Sequence, residues 1–443
     1  MSTKIQYLNA SQFEDQVLHA DVPVVVDFYS TECPPCEALA SKYDALAELY
    51  GDDIRFVKIF RQENRELALE LGVSSSPTVL FYQEGVRVGE TLAGGIKRAE
   101  LVRNLDALLS TERSAQVHAS QRPSRTECDV LILGAGPAGL TAALYLAQAR
   151  FKTIVVDRAL AGGNVALTHQ VSNFPGFVEP QPGYMLAHHM TEQAKAAGAE
   201  FRLAVEVTDV DVTGRSVTLD GLETIRARKV ILATGSSPRP LNVPGEREYR
   251  GRGISYCATC DAKYYQDKHV VVVGGGNSAV EEALFIAKFA SRITVIHQLS
   301  HFQANKQAQE RLLSIDKVEV LFEHEPREFV RVGDTVGRVK VQNLETGELK
   351  DLACHGVFIF AGMQPNLELF EDEFALDGFG YIQTTQGQHT SRPDWFAIGD
   401  VASKRYRQIT TAVSDGTVAA MAIAQELESE ENAVLSAPRY QRE

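Results

Sequence analysis

Residues 128–158, CDVLILGAGPAGLTAALYLAQARFKTIVVDR, carry an apolar strand, a glycine turn, an apolar helix and a second strand in one run. Gly134, Gly136 and Gly139 form a G-x-G-x-x-G turn in the context that gives this pattern its meaning. The glycines permit a tight turn and let a pyrophosphate approach the helix N-terminus, whose unpaired N–H groups favour anions. Asp157 ends the following strand 23 residues after Gly134, where a ribose acceptor is expected. The same pattern returns 140 residues later in 268–298, KHVVVVGGGNSAVEEALFIAKFASRITVIHQ. There Gly274, Gly276 and Ala279 make the turn, with Asn277 and Ser278 at the helix start. The chain therefore reads as two nucleotide-binding domains. WFAIGDV near the C-terminus reads as a return to the first, which makes the second an insertion.

On the N-terminal side, residues 3–110 alternate short strands and helices. VVVDFYS (24–30) is a buried strand by its branched and aromatic run, and Cys33-Pro34-Pro35-Cys36 opens the next helix. IRFVKIF, TVLFYQ and VRVGETL read as further strands, and Leu101, Leu105, Leu108 and Leu109 mark one face of a last helix. Residues 111–126, TERSAQVHASQRPSRT, are polar without a sustained period and read as a moderately flexible linker. Such a tether spans up to roughly 50 Å and keeps two modules at high effective concentration without fixing their orientation. The expected division is a module over 1–110, a linker over 111–126, a first domain over 127–240 and 364–443, and a second over 241–363. The fold class is α/β, with two Rossmann-like domains behind a smaller N-terminal fold.

A chain of 443 residues suits about three domains. At 44% hydrophobic and 23% charged residues it reads as globular, and a formal net charge of −14 argues against non-specific nucleic-acid or acidic membrane partners. MSTKIQYLNA lacks a signal-peptide pattern and no apolar run has the length of a membrane span, so a cytoplasmic location is expected. Four of the six cysteines form two C-x-x-C pairs, Cys33/Cys36 and Cys257/Cys260. In a reducing compartment such pairs point to redox work or metal. A four-cysteine zinc site needs its pairs to meet, and these belong to different domains, so no metal is expected. Cys128 and Cys354 read as small buried residues.

Over 128–430 a resemblance becomes specific. GAGPAGLTAALY, AGGN, VSNFPGF, ILATGS, GRGISYCATCD, VVGGGNSAVEEAL, AIGDV and YRQITTAVSDGTVAA occur in the order and spacing of low-molecular-weight thioredoxin reductases. The chain resembles that family, which implies a homodimeric flavoprotein with FAD at the first site. Gly134, Gly136, Pro137, Ala138 and Gly139 would line the pyrophosphate and Asp157 the adenosine ribose. Gly163, Asn164 and Asn173 would run along the flavin side, and Ala233, Thr234 and Gly235 of ILATGS would belong to the same site. Asp400 would hold the ribityl or pyrophosphate portion, with Arg407, Gln408 and Ile409 near the isoalloxazine. Asn164 stands where the family usually has Gln. A C-x-x-C dithiol closes readily, and a thiolate beside oxidised flavin can exchange an electron pair with it. By the same resemblance Cys260 would face the flavin, Cys257 would exchange with the protein substrate, and Asp261 would protonate the leaving thiolate. The bland alternatives are a structural bridge for the cysteines and a helix N-cap for Asp261.

VDFYSTECPPC resembles the active-site strand and helix of thioredoxins, with the likeness running over about 5–110. Cys33 would be the nucleophile, its pKa lowered at the helix start, and Cys36 would resolve the mixed disulfide. Asp27 matches the buried carboxylate that takes the second thiol's proton, and Lys58 its charge partner. Ser76-Pro77-Thr78 matches the loop whose proline is cis, and Gly94 the glycine that leaves room for a docking partner. Two departures stand out: Glu32 replaces the usual aromatic residue, and the central pair is Pro34-Pro35. An acid beside the nucleophile should disfavour acidic partners. The implied path runs from FAD to Cys257/Cys260, then Cys33/Cys36, then external disulfides. The arrangement is similar to the flavoprotein of alkyl hydroperoxide reductase, so a peroxiredoxin is among the expected partners.

VIHQLSHFQANK (295–306) departs from the family where NADPH would be read. Relatives carry His-Arg-Arg and another Arg four residues on; here stand His297-Gln298-Leu299 and Gln303. Each lost charge-assisted bond is worth roughly 1.5–3 kcal/mol. The expected donor is NADH, with His297 or Gln298 on an unphosphorylated ribose, or an electron-transfer protein such as ferredoxin, ahead of NADPH. Two other readings are a flavin-dependent disulfide oxidase that passes electrons to oxygen and a redox sensor without turnover.

Overall fold

The computed structural model describes residues 4–436 apart from 169, 170, 172 and 371, and leaves the side chains of residues 260 and 433–436 undescribed. The N-terminal module is a five-stranded sheet in the order Ile5–Leu8, Arg55–Phe60, Val24–Tyr29, Thr78–Gln83, Val86–Ala93. The first three strands are parallel and the last two antiparallel. Val24, Val25, Val26 and Phe28 are sealed from water, so side chains on both faces of the central strand are packed. The helix Pro34–Tyr50 lays Leu39, Tyr43, Leu46 and Tyr50 on one side of this sheet.

Residues 111–120, expected as part of a flexible linker, form the helix Thr111–Ser120. Ser110 caps it by accepting the Arg113 N–H. Val117 enters the module's core, and Asp106 accepts from Ser114 at 2.7 Å and meets His118 Nε2 at 2.9 Å. Arg113 pairs with Asp53 at 2.8 Å. One buried apolar residue gives no readable period, and the polar contacts that hold the helix lie across the sequence. Only residues 121–123 separate it from the next strand.

That strand, Ser124–Leu133, is central in a seven-stranded sheet with Thr153–Asp157 and Glu200–Leu203 to one side and Glu223–Leu232 to the other. Trp395–Ala397 adds in parallel to Glu223–Leu232, which is the return expected from WFAIGDV. The long helix Ile409–Ser436 packs against Pro137–Gln148, closely enough that a Cβ on Gly416 would lie 2.4 Å from Ala138 O. The inserted domain has a parallel sheet in the order Ile254–Ser255, Gly356–Ile359, His269–Val273, Arg292–His297, Val318–Phe322. A three-stranded antiparallel sheet, His324–Val332, Thr335–Asn343 and Leu349–Ala353, accompanies it. The two crossings between domains run side by side as the ribbon Ser236–Pro238 with Met363–Pro365. Among the described residues no helix is long and apolar enough to cross a membrane.

Candidate functional site: two dithiols and two nucleotide cradles

The first glycine turn is backbone-built. Gly134 has φ +116°, and a Cβ there would lie 2.2 Å from Ala233 O; one on Gly139 would lie 2.0 Å from Gly134 O. A Cβ on Gly136 would meet nothing within 4 Å, so this position opens outward. Gly136 and Pro137 start the helix without a side-chain cap, leaving its first N–H groups directed at that space. Asp157 braces the turn, Oδ2 accepting Ala135 N–H at 2.7 Å and Oδ1 accepting Ala159 N–H at 2.8 Å. Burial raises its pKa and those two N–H groups oppose the shift. The AGGN loop closes over the turn: Gly162 N–H donates to Ala135 O at 2.7 Å, and Gly163 lies against Gly136.

The other residues expected here converge from distant parts of the chain. Asn164 Nδ2 donates to Ser236 O at 3.0 Å and Asn173 Nδ2 to Gln408 Oε1 at 3.2 Å. Thr234 exchanges hydrogen bonds with Asn366, and Gly235 at φ +70° has open space beside it. Asp400 is held near Lys404 and Arg407; burial raises its pKa against the pull of those two cations. Arg407 lies over the Tyr381 ring at 3.7 Å, and its Nε is buried without a hydrogen-bond partner among the described residues. Gln408 leads into the helix that begins at Ile409. An open Gly136, an uncapped helix start and an orphaned guanidinium N–H fit an anionic, hydrogen-bonding group such as FAD.

The second C-x-x-C turn sits against this domain. Cys257 is disulfide-bonded; the side chain of Cys260 lies outside the described residues. Thr259 Oγ1 is 3.3 Å from Cys257 Sγ and donates to Leu167 O at 2.7 Å, which ties the turn to the segment after the AGGN helix. Ser255 Oγ accepts the Cys257 N–H at 3.1 Å. Asp261 occupies the N-cap position of the next short helix, yet its side chain makes no capping bond. Sequence reading missed Glu246, which is 1% exposed and accepts the Leu241 and Asn242 N–H groups and the Tyr256 hydroxyl. It clamps the residue before Cys257, and its place in a loop gives no sequence signal.

In the second cradle Gly274 has φ +131° and Gly276 is open, as in the first. Its second residue, Gly275, has the His297 ring where a Cβ would be, with the nearest atom at 2.4 Å. His297 is buried between Gly275 and Phe302, its ring centroid 6.1 Å from that of Phe302, and its Nε2 has no partner among the described residues. Burial lowers its pKa. Gln298 is exposed at the strand end. The following segment folds back: Gln303 N–H donates to Gly275 O at 2.8 Å, and Asn277 Oδ1 accepts the Asn305 N–H at 2.7 Å. Ser278 is exposed in the first turn of the helix.

In the N-terminal module Cys33 and Cys36 form a disulfide. Cys33 is the N-cap of the helix, its Sγ accepting the Cys36 N–H at 3.2 Å. Pro34 and Pro35 have no N–H, so Cys36 supplies the first backbone donor of this helix start. The Ser76–Pro77 bond is cis, and the Gly94 N–H donates to Pro77 O at 3.3 Å. Arg61 Nε donates to Ser76 Oγ at 2.9 Å, and Ser76 O lies 3.5 Å from Cys33 Sγ, a link that sequence reading did not find. Glu32 is exposed at φ +51°. Asp27 is buried, which pushes its carboxyl up to about 7 against the pull of Lys58. Cys128 and Cys354 are buried free thiols pushed up to about 12 by burial, in keeping with small core residues.

A family model described as pyridine nucleotide-disulphide oxidoreductase matches residues 128–416, and one described as thioredoxin matches 4–107. The chain belongs to the pyridine nucleotide-disulphide oxidoreductase family. It is similar to a thioredoxin reductase of Peptoclostridium acidaminophilum, 40% identical over 299 residues, covering 66% of this chain and 94% of that protein. A thioredoxin reductase of Bacillus subtilis is 39% identical over 295 residues, covering 67% and 93%. Among solved structures, thioredoxin reductase of Lactococcus lactis in its FR conformation superposes with TM-score 0.65 at 35% identity, over 68% of this chain and 99% of that one. That of T. acidophilum gives 0.63 at 34% identity over the same shares. The likeness and the two redox centres make the chain a flavin-dependent disulfide oxidoreductase with a thioredoxin domain; the family implies FAD and a pyridine nucleotide.

Proposed function

We propose that the enzyme is a protein-disulfide reductase with an internal relay. Electrons pass from flavin to Cys257/Cys260, then to Cys33/Cys36, then to external protein disulfides, a peroxiredoxin among the candidate acceptors. The observation that carries this is the presence in one chain of two disulfide centres, one tied to the flavin domain through Thr259 and Leu167 and one at a thioredoxin helix start. The flavin-binding part takes in 127–240 and 364–443, and the dithiol-bearing part 241–363. A cytoplasmic homodimer is the assembly we assign by family likeness.

Gly136 and the uncapped helix start at Pro137 would hold FAD, which would supply the electron pair for reducing the Cys257/Cys260 pair. Asp261, whose side chain is not spent on a helix cap, gives the proton to the leaving thiolate. Cys257 returns that proton to Asp261 and, as thiolate, attacks Cys33 Sγ, breaking Cys33–Cys36 and leaving Cys36 as thiolate. Cys260 attacks Cys257 Sγ, restores its own disulfide and frees the Cys33 thiolate, which the Cys36 N–H stabilises. Asp27 exchanges the proton with Cys36. Two electrons have moved: the Cys257/Cys260 pair has been reduced and reoxidised, and Cys33/Cys36 has been reduced once.

For the donor we favour NADH, with an electron-transfer protein such as ferredoxin second. No cation stands at 298, 299 or 303, and His297 faces Gly275 and Phe302, which leaves Gln298 as the exposed side chain at the strand end. Anaerobic titration of the flavin by absorbance, with NADH, NADPH and reduced ferredoxin in turn, tests this. Stoichiometric bleaching by NADPH alone would overturn it.

A further inference from the structure

The thioredoxin module touches the flavin domain along one side of its active-site helix. Lys42 is 8% exposed, and its Nζ donates to Ile96 O of its own module at 3.1 Å and to Ala204 O of the flavin domain at 2.8 Å. Glu37, next to Cys36, pairs with Lys195 at 2.7 Å. Leu160 lies against Gly95, 3.4 Å from where a Cβ would stand, beside the Gly94 turn that contacts Pro77.

The helix Gly183–Ala196 measures the separation of the two redox centres. At its start, Gly183 N–H donates to Thr168 O, and the adjoining Leu167 O holds Thr259 of the Cys257 turn. In its last turn stands Lys195, which holds Glu37. The helix rises about 18 Å between residues 183 and 195. Thiol–disulfide exchange needs sulfur-to-sulfur contact. The geometry points to a parking dock: the surface formed by Leu160, Lys195 and Ala204 holds the oxidised thioredoxin module with its disulfide at the far end of this helix from Cys257, and the module leaves that surface to be reduced. The relay part of this inference rests on the function proposed above; the dock does not.

The dock is built to separate. An exposed ion pair contributes little, and burial on two carbonyls lowers the Lys42 pKa to about 8, a sign that the ammonium is poorly compensated there. Where Leu222 of the flavin domain meets the module, an open cleft of about 560 Å³ runs along the module with Glu48, Asp52, Arg98 and Arg113 on its walls. A polar, unsealed boundary is the kind across which domains move.

The test uses the full-length flavoenzyme carrying Lys195→Glu, Glu37→Lys, or both. Small-angle scattering of the oxidised protein reports docking, and rapid quench with thiol alkylation after anaerobic flavin reduction reports electron arrival at Cys33/Cys36. Each single reversal should expand the particle and speed arrival about fivefold, the weight of one lost surface pair, and the double exchange should restore both values. Unchanged scattering in both single variants would remove the dock. Expansion with slower arrival would make the docked position the productive one and overturn parking. If Cys33/Cys36 stays oxidised in every variant while Cys257/Cys260 is reduced, the relay reading fails, and scattering still decides the dock.

Discussion

Asp27 and Lys58 stand opposite each other on neighbouring parallel strands, carboxylate and ammonium 4.0 Å apart and both nearly sealed from water. At that distance the pair does not hydrogen-bond, and Asp27 Oδ1 has no partner among the described residues. Burial therefore outweighs the cation, and the carboxyl titrates near 7 instead of near 4. It can both hold and release a proton under ordinary conditions, as a group serving Cys36 must.

The pH dependence follows with a definite sign. A folded-state pKa raised to about 7 means that folding favours the protonated acid. The stabilisation is complete below about pH 4 and is lost as pH rises to about 7, with a slope approaching 1.4 kcal/mol per pH unit. Asp27→Asn should flatten that fall in denaturant titrations between pH 5 and 7. It should also slow external disulfide reduction about hundredfold and remove an inflection near 7 from its pH profile. A retained inflection would assign the proton to another group.

Cys33→Ser should leave flavin reduction and opening of the Cys257 disulfide at parent rates, and abolish turnover of external protein disulfides. Stopped-flow flavin absorbance and a coupled disulfide assay separate the two. External turnover at the parent rate would mean that Cys257 serves partners directly.

Restoring the lost cations should restore the phosphate reader. Gln303 contacts Gly275 through its backbone, and Gln298 is exposed, so arginine at either position disturbs no packing. Gln298→Arg with Gln303→Arg should raise NADPH over NADH preference by at least about tenfold per cation, from charge-assisted bonds of about 1.5 kcal/mol or more. Competition titrations of flavin bleaching read the ratio.

Glu246→Ala should remove about 2 kcal/mol or more of stability, since two backbone N–H groups and a tyrosine hydroxyl lose a buried acceptor. By releasing Tyr256 it should also slow electron transfer into Cys257. Tyr256→Phe should reproduce the slower transfer with a smaller loss in thermal unfolding.

What was legible in the sequence was chiefly backbone chemistry. Gly134, Gly139 and Gly274 admit no side chain for reasons of local geometry, so their pattern announces two cradles; Cys33 and Pro77 mark a helix start and a turn in the same way. What escaped depends on contacts between distant residues. Asp157 reads as a ribose acceptor, and no pattern announces that its oxygens also accept the Ala135 and Ala159 N–H groups. Glu246, Arg61 and Lys42 stand in unremarkable local sequence and acquire their roles only through partners that the fold brings near. The enclosure of the His297 ring by Phe302 and Gly275 is likewise invisible in the strand-end sequence.

The connecting helix changes the kinetics of any relay. Because Thr111–Ser120 is fastened to the module through Val117 and Asp106, the stretch between elements shrinks to residues 121–123, roughly 10 Å of chain. A module that leaves its dock on so short a connection would swing about a pivot instead of wandering on a leash. Its arrival at a partner disulfide is set by an arc, so lengthening the pivot with glycines would dilute delivery, whereas lengthening the helix by one residue would rotate the disulfide out of line.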